Sequence, residues 1–465
     1  MNSPFPTAPV SLPKEQPPRP VFVSCPGGLE DLLLEEIHEI IKLFKLETPR
    51  DMEIAPGGVH LVNASLDLTM ALILGSGLAH RVFWSVGQTE LHSLENVVEY
   101  VKSVPWHHHF GVGATFRVHA ITNSSLLQNP QILALKVKDG IADCFRAKFG
   151  MRPNVDTKDP QVTIQAYLQQ NTLHLSIDLV GRSLHQRHGE TRESEAPLRE
   201  TLAHAMLRLA GYHALSRQLW EEAPLPVYYN RITNTSPTPS ETPAKRRIPE
   251  KVLILPFLMD PFMGSGTILL EAAFMLLNRK PNCAREDFSF VHLTGGELFS
   301  KVKDKWVRKW IAQEKNPFEL QAAVERYLVA AGFSEEQREA FPLTLLHGSD
   351  KELKSVHQFQ NKMRNLGLTS FVKVSQCQLE DVKAPAAQGI CLTNPPYGER
   401  LMQDQEVGAL YQQLGNLWKH HFKGWTGWLL SSNEDAIKKV GLRHTRQFGL
   451  FNGNLKVKLM QYIIY

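Results

Sequence analysis

Hydrophobic and polar positions in the first half of this chain follow two periods, which predict helices packed on strands. Residues 29–44 carry apolar side chains three and four apart, after a short apolar stretch at 20–23, so a strand followed by a helix is expected. Residues 115–120 alternate between apolar and polar and predict a half-buried strand. Residues 132–149 return to the helical spacing. Two alternating stretches within 162–179 flank a polar turn and predict a β-hairpin.

The second half of the chain has a different order of elements. Residues 201–219 have helical spacing, and beyond them short apolar stretches, glycine turns and helical stretches follow one another. The candidate strands are 252–259, 343–346, 371–374 and 390–393. This order is typical of the doubly wound α/β fold, in which helices cover both faces of a mostly parallel sheet. We therefore predict an α/β protein whose C-terminal sheet is preceded by an α+β part.

Two proline-rich segments contain little that could be buried. Residues 1–20 hold seven prolines, and we expect a mobile tail over 1–19. Residues 231–250 are polar, with four more prolines and a cluster of three cationic residues. Their composition predicts a flexible loop at the edge of a new domain.

Composition excludes some classes of protein and leaves others open. The chain has 465 residues, of which 43% are hydrophobic and 21% are charged, as in ordinary globular proteins of two or three domains. Lys and Arg number 51 and Asp and Glu number 47, which gives a net charge of +4. So mild an excess allows a local basic face for a nucleic acid without requiring one.

The cysteines and the length of the longest apolar stretch indicate the cellular compartment of the protein. The five cysteines form no CxxC pair, which argues against a disulfide framework and against a thiolate zinc site. The longest apolar stretch, 252–259, is far too short to span a membrane, and the N-terminus lacks the pattern of a signal peptide. We expect a cytoplasmic protein without a membrane partner.

The first chemical motif is a glycine turn that follows an apolar strand and opens an apolar helix at 268–277. It comprises Asp260, Pro261, Phe262, Met263, Gly264, Ser265 and Gly266. Glycines let backbone N–H groups approach a ligand, and the carboxylate stands where open α/β sheets bind ligands. The turn contains neither a P-loop nor a complete G-x-G-x-x-G, and glycines alone also fit a tight turn that binds nothing. The carboxylate suits a ligand with amino groups better than a pyrophosphate.

The second motif, Asn394-Pro395-Pro396-Tyr397, runs directly on from the strand at 390–393. Consecutive prolines stop a strand, restrict the backbone and leave carbonyl acceptors without N–H donors. The amide oxygen of Asn394 and the carbonyl of Pro395 could therefore converge on one amino group, and Tyr397 offers a flat face for a ring. An exocyclic base amine is a poor nucleophile, so fixed acceptors on its hydrogens would favour attack without a metal. A rigid turn without function is the alternative.

Together the two motifs resemble the S-adenosylmethionine-dependent amino methyltransferases of the class I fold. The resemblance implies S-adenosylmethionine as cofactor, with a cofactor loop formed by Asp260, Pro261, Phe262, Gly264, Ser265 and Gly266 and completed by Asn394. Within it, Asp260, Gly264 and Gly266 would frame the methionine end. The resemblance also implies that Asn394, Pro395, Pro396 and Tyr397 are the catalytic residues. Asn394 and Pro395 would hold the target amine, and Tyr397 would stack on its base.

Motifs outside this pair sharpen the resemblance. Cys25-Pro-Gly-Gly-Leu-Glu, Arg152-Pro-Asn-Val-Asp156, Ser183-Leu-His-Gln-Arg187 and Phe451-Asn-Gly-Asn454 are similar to segments of the THUMP-containing guanine-N2 methyltransferases of 23S ribosomal RNA. This family implies a ferredoxin-like region at 20–80, an RNA-binding THUMP domain at 81–185 and a Rossmann-like methyltransferase domain at 186–465. Some members are fused to a second methyltransferase, and only the guanine-N2 part is expected in this chain.

The adenosine end of the cofactor is less clearly marked. The next acid at a strand end, Asp350, lies 90 residues beyond Asp260, so a helical insertion at 281–342 is expected, and such an insertion also resembles the family. We assign Asp350 to the ribose hydroxyls. No acid stands directly after the third strand, which leaves Gln376, Gln378, Glu380 and Asp381 as alternatives for the adenine side.

Three other features suggest chemistry at first sight. Three consecutive histidines, 107–109, could suggest a metal, but adjacent side chains cannot face one ligand in regular structure, so no metal is predicted and a solvated loop is expected. Trp306 and Trp310, four residues apart in a basic stretch, should pack inward. Lys136 and Lys138 could contact RNA phosphates, as the family resemblance suggests.

The predicted activity is methyl transfer from S-adenosylmethionine to the 2-amino group of a guanine in 23S rRNA, either free or in a pre-ribosomal particle. The base would have to be single-stranded or flipped out of its stack. Two alternatives remain open: a tRNA guanine-N2 methyltransferase, and an RNA-binding ribosome assembly factor whose active site is dispensable. An N6-adenine DNA methyltransferase fits less well, because the N-terminal half resembles RNA-directed proteins.

Overall fold

A computed structural model describes residues 17–187, 198–220, 255–330, 332–339, 341, 344–397 and 404–465. The chain divides into two compact units. The first comprises Met1–Gly189 with Lys280–Ala312, and the second comprises Glu190–Arg279 with Gln313–Tyr465. The predicted loop at 231–250 and most of the predicted tail lie outside the described residues, and Arg19, assigned to the tail, instead begins the first strand.

The described elements alternate between strands and helices through most of the chain. The strands are β1 Arg19–Ser24, β2 Asp51–Ala55, β3 Gly58–Ala64, β4 Arg81–Glu90, β5 Phe116–Asn123, β6 Val162–Gln169, β7 Thr172–Asp178, β8 Leu258–Asp260, β9 Leu346–Asp350, β10 Val372–Gln376, β11 Ile390–Thr393, β12 Thr426–Ser431, β13 His444–Asn452 and β14 Leu455–Ile463. The helices are α1 Glu30–Phe44, α2 Leu66–Gly75, α3 Glu95–Ser103, α4 Pro130–Phe149, α5 Glu200–Leu209, α6 Tyr212–Leu219, α7 Thr267–Leu276, α8 Gly296–Ile311, α9 Pro317–Ala330, α10 Glu335–Glu339, α11 Leu353–Asn365, α12 Asp404–His421 and α13 Glu434–Lys439.

The first unit is built on one sheet with the order β2-β3-β1-β4-β7-β6-β5. Its neighbours are antiparallel except β5 and β6, which are parallel. Because β4 pairs with β1 on one side and with β7 on the other, the regions predicted as 20–80 and 81–185 share this sheet. The strand, helix and hairpin predictions for 20–179 are confirmed to within a few residues.

The segment Lys280–Ala312 completes the first unit. Trp306 and Trp310 of α8 are fully buried, as predicted, and the ring of Phe44 at the end of α1 meets them edge-on at 4.8 and 4.4 Å between centroids. Trp306 Nε1 donates to Asp67 Oδ1 of α2 at 2.7 Å. The sequence assigned 281–342 as a whole to the methyltransferase domain. Residues up to Ala312 instead belong to the first unit, because the apolar face of α8 is buried there.

The second unit contains the predicted doubly wound sheet, with the order β10-β9-β8-β11-β12-β14-β13. The strands from β10 to β12 are parallel, and β14 and β13 close one edge in antiparallel pairing. The α/β prediction is thus confirmed. The helix predicted at 201–219 is interrupted between α5 and α6, and the strand predicted at 343–346 instead begins at Leu346 and continues to Asp350.

Within the described parts of the chain, no helix is both long and apolar enough to cross a membrane.

Candidate active site

The central feature of the second unit is the point where its strand order reverses. From β8 the chain proceeds to β9 on one side, while β11 occupies the other side. Ligands of open α/β sheets bind in the crevice at the carboxyl ends of two such strands. Asp260 ends β8 and Thr393 ends β11, and the Thr393 hydroxyl donates to Asp260 Oδ1 at 2.7 Å. The two sequence motifs therefore meet at the carboxyl ends of β8 and β11.

Asp260 is an unusual carboxylate because it is almost wholly buried, with 1% of its surface exposed. Burial, aided by the nearby charge of Asp350, raises the pKa of Asp260 to about 7, against the hydrogen bonds from Thr393 and from the backbone N–H of Phe262. A cation placed beside such a carboxylate strongly stabilises its charged form.

The glycine turn (residues 260–266) is fixed to β9 by two backbone donors. Met263 N donates to the carbonyl of Ser349 at 3.0 Å, and Gly264 N donates to Asp350 Oδ2 at 2.9 Å. Gly264 is left-handed, with φ of 48°, and a Cβ atom there would meet nothing within 4 Å. The turn thus leaves open space on the side of Gly264, with the Asp350 carboxylate next to it.

Gly266 has a different role from Gly264. Its N–H donates to the carbonyl of Met263 at 2.7 Å, so that donor closes the turn and is not free for a ligand. Its φ is 75°, and a Cβ atom would overlap the ring of Phe359 from α11. Gly266 therefore permits close packing of α11 on the start of α7. Among the turn's other residues, Pro261 is buried, Phe262 is half-buried, and the Ser265 hydroxyl lies 2.9 Å from that of Thr267.

The NPPY turn (Asn394–Tyr397) follows β11 at this same end of the sheet. Asn394 and Tyr397 are half-buried, Pro395 is buried and Pro396 is exposed. The Tyr397 hydroxyl donates to Asn394 Oδ1, so the tyrosine reaches back to the amide oxygen that was predicted to hold the target amine. From the start of α13, just after β12, Asn433 Nδ2 donates to the carbonyl of Tyr397 at 3.2 Å.

Of the four adenine-side alternatives, two are engaged elsewhere. Gln376 Nε2 donates to the carbonyl of Lys351 at 3.0 Å, and Glu380 Oε1 accepts from Gln413 of α12 at 2.8 Å. Gln378 and Asp381 have exposed side chains, and they remain candidates for this side of the site.

Sequence reasoning missed three residues of this site: Thr393, Phe359 and Asn433. Thr393 was assigned to the strand without a role, and a threonine in an apolar strand gives no signal that its hydroxyl meets a carboxylate 133 positions away. Phe359 belongs to the apolar face of α11. Only Asn433 carried a local signal, because an Asn before Glu434 and Asp435 is typical of a helix start.

Comparison with known proteins agrees with this arrangement. Residues 92–178 match the THUMP domain, and residues 256–461 match the family described as RMKL-like, methyltransferase domain. The chain combines a THUMP domain with an RMKL-like methyltransferase domain. The predicted combination of THUMP and methyltransferase domains is confirmed, and the glycine turn and the NPPY turn both lie inside the matched methyltransferase domain.

Relatives that match nearly the whole length of this chain extend the comparison. The chain is 30% identical over 451 residues to the ribosomal RNA large subunit methyltransferase K/L of Cellvibrio japonicus, covering 95% of this chain and 51% of that protein. It is 27% identical over 447 residues to slr0064 of Synechocystis sp., a protein provisionally named an RNA methyltransferase, covering 96% and 97%. The chain spans about half the length of the K/L relatives. The crystal structure of SMU.472, a protein provisionally named a methyltransferase, in complex with SAH superposes with a TM-score of 0.68 at 22% identity, over 97% of this chain and 99% of that one, which establishes the shared fold.

S-adenosylmethionine is the cofactor of this methyltransferase domain. The residues at the edge of the sheet fit it. The open space at Gly264 can take a ligand, the buried Asp260 suits an ammonium group, and Asp350 retains acceptor capacity because each of its oxygens receives one backbone N–H.

The residues described by the structure contain no group of three or more His, Cys, Asp or Glu side chains arranged to hold a metal ion. In the histidine run at 107–109, His107 Nε2 lies 2.5 Å from Lys148 Nζ, and the side chain of His109 is half-buried.

Proposed function

We propose that this protein methylates the exocyclic 2-amino group of a guanine in 23S ribosomal RNA. One observation supports this most strongly: the Thr393–Asp260 hydrogen bond holds the NPPY turn directly beside the glycine turn. A cofactor at one turn and a nucleobase amine at the other would then be neighbours, as methyl transfer requires.

Three residues would contact different parts of the cofactor. The ionised Asp260 would bind the ammonium group of the methionine end, Gly264 would give that end room to approach the backbone, and Asp350 would accept from the ribose hydroxyls. Gly266 would contribute through packing. S-adenosylmethionine supplies an electrophilic methyl group when it is bound.

The NPPY turn would prepare the amine. Asn394 Oδ1 and the Pro395 carbonyl are acceptors, and prolines at 395 and 396 remove two N–H groups that would compete for them. Holding both hydrogens of the amine directs its lone pair towards the methyl carbon and stabilises the positive charge that develops on nitrogen. Before this can happen, the Tyr397 hydroxyl has to leave Asn394 Oδ1, which frees its ring to stack on the base.

The RNA substrate is supported by the THUMP domain and by the names of the relatives. The first unit would dock the RNA, with Lys136 and Lys138 of α4 as candidate phosphate contacts. The target guanine would be presented unpaired, because its amine cannot face the crevice from within a stacked pair.

The test is a methylation assay with labelled S-adenosylmethionine, 23S rRNA from cells that lack this protein, and tRNA from the same cells. Digestion to nucleosides should give label in N2-methylguanosine, from rRNA only. Asn394→Ala should lower the rate by about a hundredfold or more, the scale of losing one preorganised group at a charge-developing atom. Label in tRNA would replace the rRNA assignment, label in N6-methyladenosine would replace the base, and a dispensable site would leave no label at all.

A further inference from the structure

Asn433 lies at the start of α13, near the carboxyl ends of the parallel strands. β12 is the parallel neighbour of β11, so the residues that follow β12 emerge beside the NPPY turn. Asn433 is the N-cap of α13, with extended backbone at φ −91° and ψ 99°. It is half-buried and touches neither Asp260 nor Asp350 in any hydrogen bond of the described residues.

The side chain of Asn433 is held at both ends. Its Oδ1 accepts from Ala436 N at 2.9 Å and caps α13, and its Nδ2 donates to the carbonyl of Tyr397 at 3.2 Å. Its backbone N–H donates to the Ser431 hydroxyl at 3.1 Å, and that hydroxyl lies 2.8 Å from the hydroxyl of Tyr411, with Ser431 and Tyr411 both fully buried. The amide is therefore a fixed donor anchored in the core.

A fixed donor matters at this place because two of the four residues of the NPPY turn are prolines. Pro395 and Pro396 cannot donate hydrogen bonds, so the turn depends on acceptors that other elements satisfy. The Tyr397 carbonyl is such an acceptor, three residues from the Asn394 amide oxygen. Losing its donor would let the turn shift, and small displacements of an orienting group can cost a large factor in rate.

We propose that Asn433 is a positioning residue for methyl transfer, which fixes the NPPY turn through the Tyr397 carbonyl so that Asn394 faces the incoming amine. This proposal rests on the proposed function of that turn. Asn433 acts through Tyr397 and Asn394 and contacts no reacting atom. Its removal should therefore lower kcat while leaving the affinity for the cofactor unchanged.

The two ends of the Asn433 side chain can be separated by substitution. Asp and Ser cap helices about as well as Asn, because each keeps an oxygen acceptor, but neither has the N–H that reaches Tyr397. Asn433→Asp and Asn433→Ser thus break the tether and preserve the cap. Asn316 offers a matched control, since its Oδ1 caps α9 by accepting from Glu319 N at 2.9 Å.

The test measures methyl transfer, S-adenosylhomocysteine binding by calorimetry and the melting temperature for all variants. Both Asn433 variants should lose about tenfold in kcat, with the dissociation constant of S-adenosylhomocysteine within twofold of the parent and the melting temperature nearly unchanged. Asn316→Asp should match the parent in every measurement. Amide hydrogen exchange at Asn394 and Tyr397 should accelerate in the Asn433 variants alone.

Other results would overturn the proposal. An unchanged kcat in Asn433→Asp would show that the tether does not matter, and a parallel loss of cofactor affinity and melting temperature would show a merely structural role. If the parent methylates a different RNA or base, the proposed function fails while the kcat ratio still decides the role of Asn433. If the parent methylates no RNA, both fail together.

Discussion

Asp260 shares its buried position with a hydroxyl group from Thr393 and with the backbone N–H of Phe262. The sequence predicted an acid at this strand end, because a carboxylate directly before a glycine turn is a local pattern. The Thr393 hydroxyl could not be predicted, since it depends on which strand pairs with β8. The same holds for Phe359, whose packing explains Gly266 better than ligand approach does.

The charge state of Asp260 gives a prediction about stability and pH. The pKa of Asp260 is raised from its ordinary value of 3.8 to about 7 by burial, so the folded protein holds this proton more tightly than the unfolded chain. The resulting stabilisation is complete below about pH 4 and is lost as the pH rises towards 7. Asp260→Asn has no titrating group at this position, so its stability does not fall for this reason. In urea denaturation without cofactor, the unfolding free energy of the variant relative to that of the parent should rise by up to about 1.4 kcal/mol per pH unit across that range.

Comparing the two proteins at each pH removes the contributions of histidines, which both share. A difference in unfolding free energy that stays constant between pH 4 and 7 would contradict the raised pKa.

The two glycines of the turn form a matched pair for a second prediction. Both are left-handed, so alanine should cost about 1 kcal/mol at either position. Only at Gly266 would the new methyl group also overlap Phe359, and overpacking adds about 1–3 kcal/mol. We expect Gly266→Ala to lose about 2–4 kcal/mol in denaturant unfolding and Gly264→Ala about 1 kcal/mol. Phe359→Leu should recover part of the loss in Gly266→Ala, and equal losses at the two glycines would refute the packing role.

At the scale of elements, the accuracy of prediction followed the locality of the signal. β11 was predicted residue for residue, because a short apolar stretch ends at two prolines. α1 and α4 were found from their spacing to within two residues. β9 was placed too early, because its residues Leu346–Asp350 include a Gly and a Ser that do not look like a strand in isolation. Their place between β8 and β10 makes them one.

Helix α8 shows how an element can be predicted while its partner cannot. Its tryptophans were expected to face inward, but sequence spacing does not reveal that the surface they face is α2, more than 200 residues earlier. Gly75 at the end of α2 lies so close to Trp310 that a Cβ atom there would overlap the indole.

This packing gives a prediction for α8. Trp310→Ala should destabilise the first unit by about 3–5 kcal/mol, since it removes a fully buried large side chain. The neighbouring Ile311 is 53% exposed, and Ile311→Ala should stay within about 0.5 kcal/mol of the parent. Thermal unfolding followed together with hydrogen exchange of α2 would measure both. Similar effects of the two substitutions would contradict the burial of α8 on α2.

At the scale of the whole molecule, the sequence predicted three regions, at 20–80, 81–185 and 186–465, and assumed that each is continuous. The chain instead leaves the first unit, returns to it for Lys280–Ala312 and leaves again. Composition could not reveal the return, because an amphipathic helix in an insertion carries no label for the surface it will cover.

The return predicts how fragments behave. A fragment of residues 1–187 lacks α8 and should expose the apolar surface of α2, seen as binding of a hydrophobic dye and fast exchange of α2 amides. The same fragment with residues 280–312 joined by a flexible linker should protect α2 and lose the dye. Equal dye binding by both fragments would show that the first unit folds without the returning segment.

The late position of α8 in the sequence also affects how the chain folds during its synthesis. A ribosome adds about 5–20 residues per second, and about 120 residues separate the end of β7 from the start of α8, so the first unit waits roughly 6–25 s for its missing piece. Throughout that interval α2, apolar on nearly every side, has no tryptophans to cover it. Slowed translation of that stretch, or a shortage of chaperones, should therefore harm the yield of this protein more than that of one whose N-terminal part closes on itself.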